Sequence, residues 1–136
     1  MGFVVPNAIE HEVIVSVLTP ALTLRIYGNN VTPNANSQAS DFTEIAGGGY
    51  ANKPLTFANW VITDGDPTEA QYNAVQQWNF TGPINTPGTI YGYYVTRNSD
   101  GKLIWAERFP AANVPFSPIA GSIVGLLPRF DAQSFN

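Results

Sequence analysis

Apolar and polar positions alternate in short runs along most of this chain, the mark of half-buried β-strands. In 22–27, Leu22, Leu24 and Ile26 face one way while Thr23, Arg25 and Tyr27 face the other. Trp60 to Thr63 reads as a short strand, and Tyr72, Ala74, Gln76, Trp78 and Phe80 alternate through 69–81, whose later part reads as another. The strongest signal lies in Thr89 to Phe109. Two aromatic and β-branched runs, Ile90–Thr96 and Lys102–Phe109, flank Asn98-Ser99-Asp100-Gly101, and this pattern predicts a hairpin. Alternation places Leu103, Trp105 and Phe109 on one face of its second strand with Glu107, and Tyr91 and Tyr93 opposite Tyr94. Ile119 to Phe130 ends the fold, with Pro128 marking an edge or a strand end.

One segment departs from the period of two. Val5 to Leu18 carries Ile9, Val13 and Val17 at helical spacing, widened by Ile14 and Leu18. Asn7 stands where a cap is needed, and Glu10 three residues later completes a capping box. Glu10 and Glu12 also lie near the positive end of the helix dipole. The β-branched run Val13-Ile14-Val15 suits a strand equally well; the cap decides for a helix over about 7–18, stopped by Thr19-Pro20.

Between these elements lie loops. Gly28 to Ser40 is rich in Asn, Pro and Ser and predicts a long surface loop. An ordered block at 41–46 breaks at Gly47-Gly48-Gly49, where backbone freedom for a tight bend is the expected role. Asp64 to Pro67 is a turn, Gly82 to Gly88 a loop, and Ala111 to Pro118 a Pro-rich connection. The pattern implies a single mainly β domain over 1–136. Its expected form is an antiparallel β-sandwich or small barrel of about 7–8 short strands with one N-terminal helix. Residues 131–136 are expected to be a flexible tail.

Composition changes the picture mainly at the surface. The chain is 44% hydrophobic, with 8 Phe, 6 Tyr and 3 Trp, enough for a proper core. Only 12% of residues are charged, about half the roughly 25% usual for soluble domains. A surface so poor in charge suits a protein partly covered by neighbours. The net charge of −4 and the scattered Lys and Arg argue against nucleic acid. Cysteine is absent, so thiolate metal sites and disulfides are excluded. Met1 to Pro6 lacks the basic region of a secretion signal, and Pro6 occupies the position where myristoylation needs Ser or Thr. No apolar run approaches the ~18 residues of a membrane span. Synthesis in the cytoplasm and no membrane association are the expectation.

The inventory for catalysis is thin. His11 is the sole histidine and sits in the expected helix, far in sequence from any Ser/Asp pair. Asp64-Gly65-Asp66 with Glu69 offers oxygen ligands of the kind calcium takes, yet the spacing is too short for an EF-hand and Pro67 breaks it; an acidic turn is the simpler reading. Asp41 and Glu44 are candidates for a glycosidase pair only if the fold supplies a second acid at the right separation. The glycine run lacks the Lys-Ser/Thr of a phosphate loop. Trp60, Trp78 and Trp105 are read as core before sugar platforms. Asn30-Val31-Thr32 and Asn79-Phe80-Thr81 match glycosylation acceptors by chance. No enzyme activity, cofactor or metal is expected.

A set of landmarks points elsewhere. Val5-Pro6-Asn7 is followed by Glu10 and an apolar helix. Then come the run from Leu22 through Tyr27 and Asn30 to Pro33, Asp41-Phe42-Thr43-Glu44 with Gly49-Tyr50-Ala51, and Trp60. Ile90 to Val95 and Leu103 to Phe109 complete the series. In order and spacing, over most of the chain, this resembles small tailed-phage virion structural proteins of the capsid cement, or decoration, type. The resemblance implies a structural protein on the capsid exterior, a homotrimer or homodimer, with the major capsid protein as partner. It supplies no catalytic residues. A tail or head-fibre component, or a receptor- or glycan-binding module of the virion, is the alternative. Exposure patterns nominate contact residues within this reading: Phe3, Val4 and Val5 at the N-terminal segment, and Asn29, Asn30, Val31 and Pro33 in the long loop. Tyr91 and Tyr93 on the aromatic hairpin face and Arg129 and Phe130 before the tail complete the set.

Overall fold

Residues 7–18 form helix α1 (Asn7–Leu18) in a computed structural model that describes residues 5–65, 67–85 and 88–132. The capping box is not what starts it. Pro6 takes the cap position with no side-chain hydrogen bond; its carbonyl accepts the N–H groups of Ile9 and Glu10 at 2.9 and 3.0 Å. The inward stripe is Glu10, Ile14 and Leu18, with Val17 at its margin. Ile9 and Val13 are 45% and 46% exposed, which corrects the expected Ile9–Val13–Val17 stripe. Apolar residues lie on most sides of this helix, so the surface it meets, rather than its periodicity, selects the buried side.

Among the described residues nine strands follow: β1 (Leu22–Tyr27), β2 (Lys53–Leu55), β3 (Trp60–Thr63), β4 (Thr68–Tyr72), β5 (Gln76–Asn79), β6 (Gly92–Arg97), β7 (Leu103–Arg108), β8 (Ile123–Leu126) and β9 (Arg129–Ala132). Every pairing is antiparallel. The strands make three separate sheets, ordered β2-β1-β6-β7, β3-β4-β9 and β5-β8. A small antiparallel domain with one N-terminal helix is therefore correct, whereas the sandwich or barrel is not, because no sheet closes. The strands are too short and too often interrupted to wrap round. β2 is three residues long and carries Pro54, which has no N–H to give a further strand. The turn 73–75 carries the chain from β4 into a different sheet.

One core joins the three sheets to α1. Leu22, Leu24, Ile26, Tyr93 and Val95 from the four-stranded sheet meet Ile14 and Leu18 of α1. Trp60, Ala70 and Tyr72 of the second sheet and Trp78 of the ribbon complete it. β1 is covered on both faces, not half-buried as its alternation predicts. On its other side Tyr27, Phe42 and Tyr94 form a second, smaller cluster. Phe42 stacks on Tyr94 with ring centroids 5.1 Å apart, so the long loop after β1 folds back as a lid over that face.

The β6–β7 hairpin forms as expected. Arg97 closes its turn, donating from Nη2 to Asp100 at 2.7 Å, and this hydrogen bond holds the Asp100 carboxyl down at about 2. The register shifts between Val95 and Thr96. This bulge sends Leu103 to the Tyr27 cluster while Trp105 and Phe109 stay with the main core, so Leu103 does not share their face. Gly47, Gly48 and Gly49 all have positive φ, at 84°, 62° and 82°, the left-handed region that explains three consecutive glycines. The expected tail does not begin at 131. Asp131 and Ala132 belong to β9, paired with Glu69 and Thr68; 133–136 lie outside the described residues.

Candidate interaction surface

The long loop is held in place from both ends. At its base Asn29 donates from Nδ2 to the Asp41 carbonyl and accepts the Thr43 N–H at Oδ1, both at 2.8 Å. A 3-10 turn at Ala39–Asp41 is capped by Asp41, whose carboxylate accepts the Gln38 N–H at 2.8 Å. At the tip of the hairpin's second strand, Arg108 donates from Nη1 to Asn30 Oδ1 at 2.8 Å and to the Val31 carbonyl at 3.2 Å. Its guanidinium lies over the Tyr91 ring, 4.9 Å from the centroid. Tyr27 adds a hydroxyl donated to the same Val31 carbonyl at 3.1 Å. Burial pushes the Tyr27 phenol above its ordinary value, and nearby Arg108 partly offsets that.

Four of the nominated residues, Asn29, Asn30, Val31 and Tyr91, thus converge on one clamp. Its organiser, Arg108, was not nominated. The hairpin register held the signal: it sets Arg108 opposite Gly92, beside Tyr91. Pro33 lies further out, lining a shallow groove between the loop and Leu103–Ala106.

The other nominated residues are scattered. Tyr93 is buried in the main core, 6.1 Å from Phe109 by ring centroid; burial and then Glu107 raise its phenol well above the ordinary range. It presents no contact surface in this chain, because an inner-face position of a central strand is covered by the helix and second sheet. Phe130 packs against Trp105 at 5.0 Å between centroids, and Arg129 pairs with Glu69. Val5 is half-buried. Phe3 and Val4 lie outside the described residues.

The groups considered for chemistry are engaged elsewhere. His11 Nδ1 lies 2.7 Å from Asp64. Glu44 accepts from Arg25 Nη1 and the Tyr50 hydroxyl, each at 2.7 Å, and from Asn52 at 3.2 Å. Tyr50 is driven far above the ordinary phenol value, chiefly by burial. Asp66 lies outside the described residues, among which no three His, Cys, Asp or Glu side chains gather as a metal site. Trp60 and Trp78 are buried, and Trp78 donates its indole N–H to the Ala51 carbonyl at 2.8 Å.

No family model, curated protein or solved structure matches this chain. Seven large apolar side chains stand out from the described residues: Ile9, Val13, Phe57, Val61, Val75, Ile119 and Ile123. Ile9 and Val13 lie on the helix, Phe57 on a 3-10 turn before β3, Val61 on β3, Ile123 on β8, and Val75 and Ile119 in the segments that precede β5 and β8. No described helix is long and apolar enough to cross a membrane.

Proposed function

We propose that this chain is a capsid cement, or decoration, protein of a tailed phage. It binds the outer face of the assembled shell as a homotrimer or homodimer, with the major capsid protein as its partner. One observation carries the reading: in a chain of which only 12% is charged, aliphatic side chains are exposed on several separate elements, an arrangement suited to being covered on more than one side. The order of sequence landmarks supports the same reading. The clamped loop 28–41 is a preorganised contact segment, which lowers the ordering cost of docking. Binding the assembled shell and not its free subunits stabilises the shell by linkage, and many copies add multivalency.

A tail or fibre component shares the virion setting. A glycan-binding module is less well served, since Trp60 and Trp78 are inside the fold. The test is the copy number of this polypeptide in purified particles of the phage that encodes it. Copies in the hundreds are expected for a shell protein. A dozen or fewer would move it to the tail or a fibre, and absence from particles would end the virion reading.

A further inference from the structure

Glycine follows an acidic or amide residue at two places in this chain, Asp64-Gly65 and Asp100-Gly101. At such a pair the main-chain nitrogen of the glycine can attack the side-chain carboxyl, because no Cβ shields it. Asp66, close by, precedes Pro67, whose nitrogen carries no hydrogen to give up, so it does not compete.

The fold treats the two pairs differently. Arg97 donates to Asp100 from Nε at 3.1 Å and from Nη2 at 2.7 Å, and the Lys102 N–H reaches the same carboxylate at 3.1 Å. These donors, Arg97 first, hold the carboxyl down at about 2, so at neutral pH it is ionised and a poor electrophile. The Gly101 N–H is itself committed, to the Arg97 carbonyl at 2.7 Å. Both reacting groups of this pair are therefore locked.

At Asp64-Gly65 neither is. The Asp64 side chain is 62% exposed. Its partner among the described residues is His11, with Nδ1 2.7 Å from Oδ1. An imidazole can hand over a proton at neutral pH, which a guanidinium cannot, so His11 can protonate the oxygen that must leave. The Gly65 N–H has only Thr68 Oγ1, at 3.5 Å, beyond the usual hydrogen-bond range. That hydroxyl already donates to Glu10 at 2.9 Å.

We propose that Asp64-Gly65 is a modification site at which the folded protein converts aspartate to isoaspartate, and that the conversion loosens α1 from the turn before β4. The Gly65 nitrogen bonds to Cγ of Asp64 as the Cγ–Oδ1 bond breaks, and the amide hydrogen leaves with the carboxyl hydroxyl as water. Water then opens the cyclic imide at the Asp64 main-chain carbonyl, breaking the original bond to the Gly65 nitrogen. Composition is unchanged overall, but the main chain now runs through Cγ and is one atom longer. The new path moves the carboxylate away from His11. It also shifts the turn that leads to Thr68, whose hydroxyl and N–H hold Glu10 at 2.9 and 3.3 Å. Glu10 and His11 are neighbours on α1, so one change of backbone path disturbs both contacts. This inference does not rest on the virion reading.

The test ages the full chain at neutral pH and body temperature, native and in urea, and locates isoaspartate by peptide mapping with electron-transfer fragmentation. In the native protein Asp64 is expected to convert many-fold faster than Asp100; in urea the two convert at similar rates. Gly65→Ala slows conversion several-fold. Asp64→Glu keeps a carboxylate near His11 but needs a larger ring, so conversion at that position is lost. The isoaspartate form, separated from the parent by ion exchange, unfolds at a lower urea midpoint and exchanges amide hydrogen faster in α1. Asp64→Glu aged alongside shows neither change. Native conversion at Asp100 as fast as at Asp64, no isoaspartate at Asp64, or a modified form with the parent's urea midpoint and α1 exchange each overturns the proposal.

Discussion

Thr68 donates its hydroxyl to the Glu10 carboxylate at 2.9 Å and its N–H to the same oxygen at 3.3 Å. Both residues are buried, at 0% and 1% exposure, so this contact ties α1 to the first residue of β4. A carboxylate taken out of water needs such donors, because desolvation otherwise outweighs what its burial contributes.

Thr68→Val keeps the shape of the side chain and deletes the hydroxyl. The expected loss is about 1.5–3 kcal/mol, the range for hydrogen bonds to charged groups. It is read as a lower urea midpoint at unchanged slope. Thr68→Ser, which retains the donor, loses less. A wild-type midpoint for Thr68→Val would show that Glu10 depends on other partners.

Glu10 also shows where the sequence was readable and where it was not. That 7–18 is a helix follows from local spacing. That its fourth residue reaches a strand 58 positions away rather than its own cap does not, since both uses need the same residue in the same place. β1 and β3 were legible to the residue because alternation and flanking turns bound them. Their sheets were not, because pairing β9 with β4, or β2 with β1, is decided by packing between distant segments. Alternation puts Leu103 on the face of Trp105 and Phe109, and the bulge moves it to the other, because a bulge resets the period of two without leaving a trace in composition. At the candidate surface, the loop was visible from its Asn, Pro and Ser content, but the arginine that holds it became apparent only with the hairpin in register.

Gly92 fills a place with no room for a side chain. A Cβ there would lie 2.7 Å from the Tyr27 ring and in contact with the Glu107 carbonyl. Neither neighbour yields easily: Tyr27 is fully buried, and the carbonyl belongs to the paired strand β7. Gly92→Ala is expected to destabilise by about 1–3 kcal/mol through overpacking. Gly101→Ala, with open space around its Cβ, meets no such clash and instead strains a backbone at φ 72°. Crossing Gly92→Ala with Tyr27→Leu separates the two contributions of the clash. If the ring dominates, the double variant recovers part of the loss; if the carbonyl dominates, it recovers none.

The buried tyrosines set an alkaline limit. Burial, reinforced by Glu44, pushes the Tyr94 phenol up to about 12, and burial likewise raises Tyr50 and Tyr93. In the unfolded chain these phenols ionise near 10. The unfolded state therefore releases protons first, and stability that is complete below about pH 10 declines as pH rises through about 12. Phenolate absorbance from these residues should appear in one cooperative step together with loss of the far-ultraviolet circular dichroism. Tyr94→Phe should move that step to higher pH. Independent titration of Tyr50, Tyr93 and Tyr94 near 10, with the fold intact, would contradict their placement in the core.

Arg108 makes a prediction about order rather than global stability. Its contacts reach the loop through Asn30 and Val31, while the other face of its guanidinium rests on Tyr91. Arg108→Ala removes a cation–π contact and two charge-assisted hydrogen bonds at a partly exposed site, together about 1–2 kcal/mol. Because Asn29 still closes the loop base, the effect should remain local. Hydrogen exchange should quicken in 30–38 and stay near wild type in β1, β6 and α1. Arg108→Lys retains the charge but not the planar fork, so it should fall between the two. Faster exchange spread evenly over the chain would instead make Arg108 a support for the whole fold, and the loop would lose its standing as a separately ordered contact segment.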